Sequence, residues 1–461
     1  MTEQKEKFIS ILEKNRVSDR SEDLLEYGRD WTRKHTPDPC IILFPKTADE
    51  VQQIVSYCYE HNIKIVPSGG RTGLAAAAVA RNKEVVVSFK KMDQIRSIDI
   101  ESGSVVVEAG AILENVQKAV SDNGMFFPMD FAARGSCQIG GCISTNAGGL
   151  KVIKYGMMRD LVLGLEVVTP TGNRLRLNSN VHKNNSGYDL KQFFIGAEGT
   201  LGLITEATLK IVPKPKNLQI ALLATDNFTT ILEILKSAKL KSLDITAFEF
   251  FTKPCLQAVL DHVHHCRNPF AEIYPLYVML EIDCGDRAED LQYFVESVEH
   301  LILDGTLSLN HQTFKELWAY RENIPETILK LGQIHKNDIA VPISSMPSFI
   351  MKLEKMIFEK YSAFQVLLFG HIGDGNIHVN IIDTTRMPME AFTKITDELD
   401  MEMCRLIKSY HGSISAEHGI GLLKKKLMHL YRNPEEIQMM KNIKSVFDPT
   451  NICNPGKIID I

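Results

Sequence analysis

The sequence predicts an α+β protein of at least two domains: a glycine-rich N-terminal part, a ferredoxin-like layer after it, and a helical C-terminal segment. Three observations carry that expectation. The chain has 461 residues, more than one hydrophobic core ordinarily organises. Short β-rich runs alternate with segments of helical period through the first 210 or so positions. At Lys214-Pro215-Lys216 the glycine-rich texture gives way to longer amphipathic elements. The expected divisions are 1–215, 216–419 and 420–461.

In chain order, Thr47-Ala-Asp-Glu50 reads as a capping box, in which Thr47 accepts from the Glu50 N–H and the Glu50 carboxylate reaches back. Val51, Ile54, Val55 and Cys58 then recur at helical spacing, before a short strand at 64–66. Residues 84–89, 104–109 and 161–168 read as strands, and a helix at 111–122 should stop at Asn123-Gly124. Beyond the boundary, strand 218–224, helix 228–238, strands 244–251 and 275–283 and helix 287–303 follow in a ferredoxin-like order. Helices at 390–410 and 434–445 complete the reading.

Hydrophobic residues at 44% and charged residues at 24% describe an ordinary folded chain, and a net charge of −5 argues against a nucleic-acid binder. The basic run Lys424–Lys426 reads as a solvated helix face. Nine cysteines, an odd number without a C-x-x-C pair, suit reduced thiols and a cytoplasmic protein. No stretch approaches the ~18 apolar residues of a membrane span.

Pro67-Ser-Gly-Gly-Arg-Thr-Gly-Leu74 follows a predicted strand, and its glycines would let successive backbone N–H groups cradle an anion such as a diphosphate. One Gly-Gly reads equally well as a surface turn. Here, however, Gly135–Gly141 with Thr145–Gly149, and Gly196–Gly202, add further clusters. G-x-G-x-x-G and G-x-x-x-x-G-K-[ST] are both absent, so a Rossmann site and a nucleotide triphosphatase are unsupported. A long cofactor threaded between two small subdomains remains.

His371-Ile-Gly-Asp-Gly-Asn-Ile-His378 carries the sharpest chemical signal. A two-residue turn at Asp374-Gly375 would make His371 and His378 cross-strand neighbours with Cβ atoms roughly 5 Å apart, suited to chelating one metal. Asn380 would share that face. Ser415-Ala-Glu-His-Gly-Ile-Gly421 offers Glu417 as a third ligand and His418 as proton acceptor, a set that suits zinc, with iron or manganese as rivals. Two surface histidines beside an unrelated turn would be the plainer reading.

Taken together, PSGGRTGL, SCQIGG with TNAGG, NNSGYDLKQFFIGAEGTLG, GHIGDGNIHVN, SAEHGIG and NPGK resemble, in order, the FAD-dependent D-2-hydroxy-acid dehydrogenases of the vanillyl-alcohol-oxidase type. The resemblance runs from about residue 40 to the end. It implies that type's two-subdomain FAD-binding domain with a ferredoxin-like substrate cap. It also implies non-covalent FAD held by Pro67, Ser68, Gly69, Gly70, Arg71, Thr72, Gly73 and Leu74, since this loop lacks the flavin-linking His of some relatives. Ser136, Gln138, Ile139, Gly140, Gly141, Thr145, Asn146, Gly148 and Gly149 would hold the cofactor too, as would Glu198, Gly199, Gly202, Ile204 and Asn454.

The resemblance further implies that His371, His378 and Glu417 bind metal, that Asn380 and His418 face the substrate, and that Arg321 and Lys336 receive carboxylates. The implied reaction is oxidation of a D-2-hydroxy acid, D-2-hydroxyglutarate first, with D-lactate or glycolate as alternatives. A zinc hydrolase is the alternative from another class. The sequence leaves the electron acceptor open between candidates such as an electron-transfer flavoprotein and a quinone, and leaves the assembly open, with a homodimer as one candidate. Two departures stand out: Pro325 replaces a hydroxyl residue near the substrate's distal carboxylate, and Cys142 replaces a common Asn.

Overall fold

The computed structural model describes residues 2–177, 181 and 183–461, in two units. The first takes Met1–Gly148, Tyr155–Lys214 and Glu417–Ile461; the second takes Gly149–Lys154 and Pro215–Ala416. None of the nine cysteines is joined in a disulfide. Among the described residues, no helix is long and apolar enough to cross a membrane.

In the first unit the helix Ala48–Glu60 forms where its apolar spacing requires, with Val51, Ile54, Val55 and Cys58 fully buried. Thr47 caps it by accepting from Glu50 N–H at 3.2 Å. The reciprocal half of the expected box is absent, because the Glu50 carboxylate accepts instead from Lys46 N–H and from buried Arg16. This helix connects parallel strands of a four-stranded sheet ordered Val17–Ser18, Ile41–Leu43, Val85–Ser88, Ile65–Ser68. Every residue of Val85–Ser88 is buried, as a parallel strand covered on both faces should be.

A second, antiparallel sheet of five strands runs Ile95–Asp99, Ser104–Glu108, Leu203–Lys210, Val162–Val168, Arg174–Arg176. The C-terminal helix Pro434–Phe447 joins the same core through Ile443 and Phe447. Its buried Lys444 donates to Thr200 O at 2.7 Å and Cys453 O at 2.8 Å, and pairs with Asp448.

The second unit is one seven-stranded antiparallel sheet. Its strands are β1 (Leu218–Thr225), β2 (Ile245–Thr252), β3 (Leu276–Asp283), β4 (Asp304–Leu307), β5 (Gln333–Ala340), β6 (Phe364–Gly370) and β7 (Asn376–Asp383). The order is β4-β1-β3-β2-β6-β7-β5. With helices α1 (Phe228–Leu240) and α3 (Asp290–Ser297), the first four strands make the βαββαβ, 4-1-3-2 arrangement expected of a ferredoxin-like layer, into which a further helix, α2 (Lys253–His262), is inserted between β2 and β3. The helix expected over 287–303 is shorter, ending at Ser297 before a 3₁₀ turn at Glu299–Leu301. Strands β6, β7 and β5 extend the sheet beyond the four-strand motif.

Strand alternation and register define one face. Tyr277, Met279, Ala247, Phe251, Leu367 and Phe369 lie on it, packed by Leu256 and Val259 of α2 and by Leu317 and Trp318 of α4 (His311–Glu322). Further along the same face the pairs Asp338↔His378 and Lys336↔Asn380 follow, so the core runs directly into a polar cluster.

Glu281 sits in this apolar field with 1% exposure. Its Oε1 accepts from Lys151 and Thr246, and its Oε2 from Trp318 Nε1 at 2.9 Å. Lys151 belongs to the short segment Gly149–Lys154 and also lies 5.4 Å from the centre of the Trp318 ring. Removing one member of a buried pair strands the other's charge, at a cost of about 3–5 kcal/mol. Glu281→Ala should therefore lower the thermal midpoint by several degrees, against little change for an exposed pair such as Lys355–Glu359. A midpoint within one degree of the parent would contradict this role.

Candidate active site

Within the first unit the glycine loops meet. A Cβ on Gly70 would lie 2.2 Å from Ser136 O, and one on Gly199 2.4 Å from Pro67 Cγ, so loops 67–74, 135–141 and 196–202 approach at backbone distance. Gly140 N–H donates to Ala109 O at 2.7 Å, and a Cβ there would strike Ala109 at 2.8 Å. Ile139 opens the helix Ile139–Ser144, and Thr145 closes it with its hydroxyl on Gly141 O at 3.1 Å. Ile204 is buried at the start of Leu203–Lys210, next to Gly202.

Four non-glycine residues of the predicted set hold left-handed backbone: Arg71 (φ 59), Asn146 (φ 48), Glu198 (φ 50) and Asn454 (φ 45). Each such residue costs on the order of 1–2 kcal/mol, and such strain clusters where a ligand is gripped. Asn454 joins these loops. Its Nδ2 donates to Ala77 O at 2.9 Å and Glu198 O at 2.7 Å, and its N–H to Ile65 O at 2.7 Å.

Two acceptors here, Asn454 Oδ1 and Gln138 Oε1, are buried without a hydrogen-bond partner among the described residues. A flavin nucleotide carries N–H and O–H donors that would answer them, so the residues present fit FAD.

Glu198 is buried and accepts from the N–H groups of Ile420 at 2.7 Å and Gly421 at 2.8 Å. Burial pushes its carboxyl up to about 7, opposed by those two N–H groups. Its carboxylate thereby anchors the turn that follows His418, where Gly419 (φ +80) and Gly421 (φ +50) need left-handed backbone. Glu417 lies against the other side of the cradle: a Cβ on Gly148 would sit 2.5 Å from its Oε1.

In the second unit, the hairpin register differs from the expectation. His378 pairs with Phe369, not His371, because the connection is the five-residue loop 371–375 rather than a two-residue turn. His371 O accepts from both Asp374 N–H and Asn376 N–H at 3.2 Å, and Gly373 N–H is tied to Phe248 O at 3.1 Å. The shift is an even number of residues, which preserves the face. The imidazole rings of His371 and His378 lie 5.3 Å apart, centre to centre, at 82°.

Asn380 follows on that face, its Nδ2 donating to Leu367 O at 3.3 Å. Lys336 stands opposite Asn380, and burial lowers its ammonium pKa below the usual range. Arg321 of α4 is 5% exposed, with its guanidinium 4.6 Å from the centre of the Phe369 ring. Pro325 lies in the turn Ile324–Thr327, whose Thr327 hydroxyl is engaged with Asn323 O at 2.9 Å.

Sequence reasoning missed Glu249, wholly buried, whose Oε1 lies 2.7 Å from His371 Nδ1 and whose Oε2 accepts from Arg321 Nε at 3.0 Å. It also missed Asp338, which accepts from Asn376 Nδ2 at 2.8 Å and lies 3.7 Å from His378 Nδ1. For Glu249 the signal was available as a lone acid inside an otherwise apolar strand, Phe-Glu-Phe in β2, whereas Asp338 lies in a largely polar strand that does not single it out.

Residues 39–178 match the FAD binding domain model, and residues 214–458 match the model of the FAD linked oxidases' C-terminal domain. D-2-hydroxyglutarate dehydrogenase of Stutzerimonas stutzeri is 43% identical, over 97% of this chain and 97% of that protein. The mitochondrial D-2-hydroxyglutarate dehydrogenase of Rattus norvegicus is 36% identical, over 96% of this chain and 82% of its own. A solved p-cresol methylhydroxylase with substrate bound superposes with a TM-score of 0.79 at 17% identity, over 100% of this chain and 97% of its own. That likeness shows the vanillyl-alcohol-oxidase-type fold. The chain belongs to the FAD-linked oxidase family and is an FAD-dependent dehydrogenase within it.

Proposed function

We propose that the protein oxidises D-2-hydroxyglutarate to 2-oxoglutarate, with zinc or a similar divalent cation held by His371, His378 and Glu417. When bound, FAD supplies the hydride acceptor and the cation supplies Lewis acidity to the 2-hydroxyl. His418 takes the hydroxyl proton as hydride leaves C2. Arg321 and Lys336 receive carboxylates, Lys336 the distal one that lactate lacks, and Asn380 orients the substrate between them.

The observation that carries this reading is the pair of desolvated cations beside the paired histidines. Arg321 engages Glu249 only through Nε, and its Nη groups have no protein partner among the described residues. Lys336 is half-buried and has no carboxylate partner among them. Two such cations suit a dicarboxylate better than lactate or glycolate. The names of the relatives agree with that substrate.

Support for the third ligand comes from the chain path. Ala416 N–H donates to Asp338 O, directly across the strand pair from His378, and Glu417 is the next residue. The glycine cradle carries no histidine to link a flavin, which favours dissociable FAD. A reducing, cytoplasmic setting is in keeping with nine cysteines without a disulfide.

A charge-assisted hydrogen bond is worth about 1.5–3 kcal/mol. Lys336→Met should therefore raise KM for D-2-hydroxyglutarate roughly 10- to 100-fold in steady-state assays while changing D-lactate turnover less than about twofold. Equal losses on both substrates would contradict the dicarboxylate assignment. Separately, His371→Ala should abolish turnover while the purified protein keeps its flavin absorbance. Near-normal turnover would remove the cation from the reaction.

A further inference from the structure

The side chains around Glu249 form a closed circuit. Glu249 Oε1 meets His371 Nδ1 at 2.7 Å, and the His371 ring lies 5.3 Å from that of His378. The His378 ring lies 4.9 Å from Phe369, which supports the Arg321 guanidinium at 4.6 Å. Arg321 Nε returns to Glu249 Oε2 at 3.0 Å. Every member lies in the second unit, and Glu249 is fully buried at its centre.

We infer that Glu249 is a positioning residue that sets metal affinity and substrate-carboxylate binding together, through one carboxylate shared by His371 and Arg321. The inference rests on the metal and substrate assignments proposed above. A carboxylate at Nδ1 keeps the proton on that nitrogen and leaves the Nε2 lone pair for a ligand. The other oxygen fixes Arg321 at Nε, so that its Nη groups rather than Nε face an incoming anion.

Both neighbours donate to Glu249, and that makes the position sensitive to a neutral isostere. Glutamine offers one acceptor and one donor. If its amide nitrogen faces His371, it donates to Nδ1, moves the ring proton to Nε2 and removes the ligand lone pair. If it faces Arg321, two donors oppose each other and the guanidinium is displaced.

The test is Glu249→Gln in the flavin-loaded protein, with zinc affinity read by chelator competition and KM and kcat for D-2-hydroxyglutarate read at saturating zinc. Loss of a carboxylate behind a ligand histidine typically costs 10- to 100-fold in metal affinity. We expect zinc held about 10- to 100-fold more weakly and, with zinc restored, a residual rise in KM larger than any fall in kcat. Glu249→Asp keeps both acceptors and should recover part of the zinc affinity. A Gln variant that binds zinc as tightly as the parent with unchanged KM would overturn the inference alone. A parent protein that takes up no zinc would overturn the metal assignment beneath it. A variant that loses its flavin as well would mark Glu249 as a general fold determinant and overturn the inference too.

Discussion

The register of β5 against β7 is the constraint on which the polar cluster depends. Eight pairs, from Gln333↔Asp383 to Ala340↔Asn376, place Lys336, Asp338, His378 and Asn380 on one face. A slip of one residue would turn the side chains of a whole strand to the opposite face. Strand β5 lies at the edge of the sheet, where register is least constrained by neighbours. It is pinned by side chains instead. Asn376 Nδ2 bonds Asp338 Oδ1 and Ile339 O, both at 2.8 Å, and Ala340 exchanges two backbone hydrogen bonds with Ser413. At the other end Asp383 accepts from Thr385 and Met387 N–H and closes the strand terminus.

Helix α4 is held against this sheet by two acids on adjacent strands. Trp318 Nε1 donates to Glu281 and Arg321 Nε to Glu249, three residues apart and therefore on the same side of the helix. Burying each carboxylate costs several kcal/mol before its partners offset it, so their value lies in orientation more than in net stability. Glu281 also holds Lys151, two residues after Gly149, the last position of the cofactor loop read from the sequence.

Much of the architecture was legible because it follows from period and capping. The stripe Val51, Ile54, Val55, Cys58, the fully buried valines of 85–87 and the succession of strands and helices after Pro215 all express patterns that the chain carries locally. The hairpin shows where local chemistry stops being sufficient. Asp374-Gly375 has the composition of a two-residue turn, yet the tether of Gly373 to Phe248, distant in sequence, opens the loop to five residues. For Glu249 and Glu281 the sequence shows an acid within an apolar strand but not the partners that satisfy it, which come from other elements. Glu198 was legible as part of a glycine loop, but its bonds to Ile420 and Gly421, more than two hundred positions away, were not.

The account turns on whether substrate oxidation needs both the flavin and a cation near His371 and His378. Anaerobic mixing of the flavin-loaded protein with D-2-hydroxyglutarate, before and after chelation, measures this most directly. The visible flavin absorbance should bleach with the D-isomer, persist after chelation, and bleach again once zinc is returned. Bleaching at the same rate in fully chelated protein would contradict it.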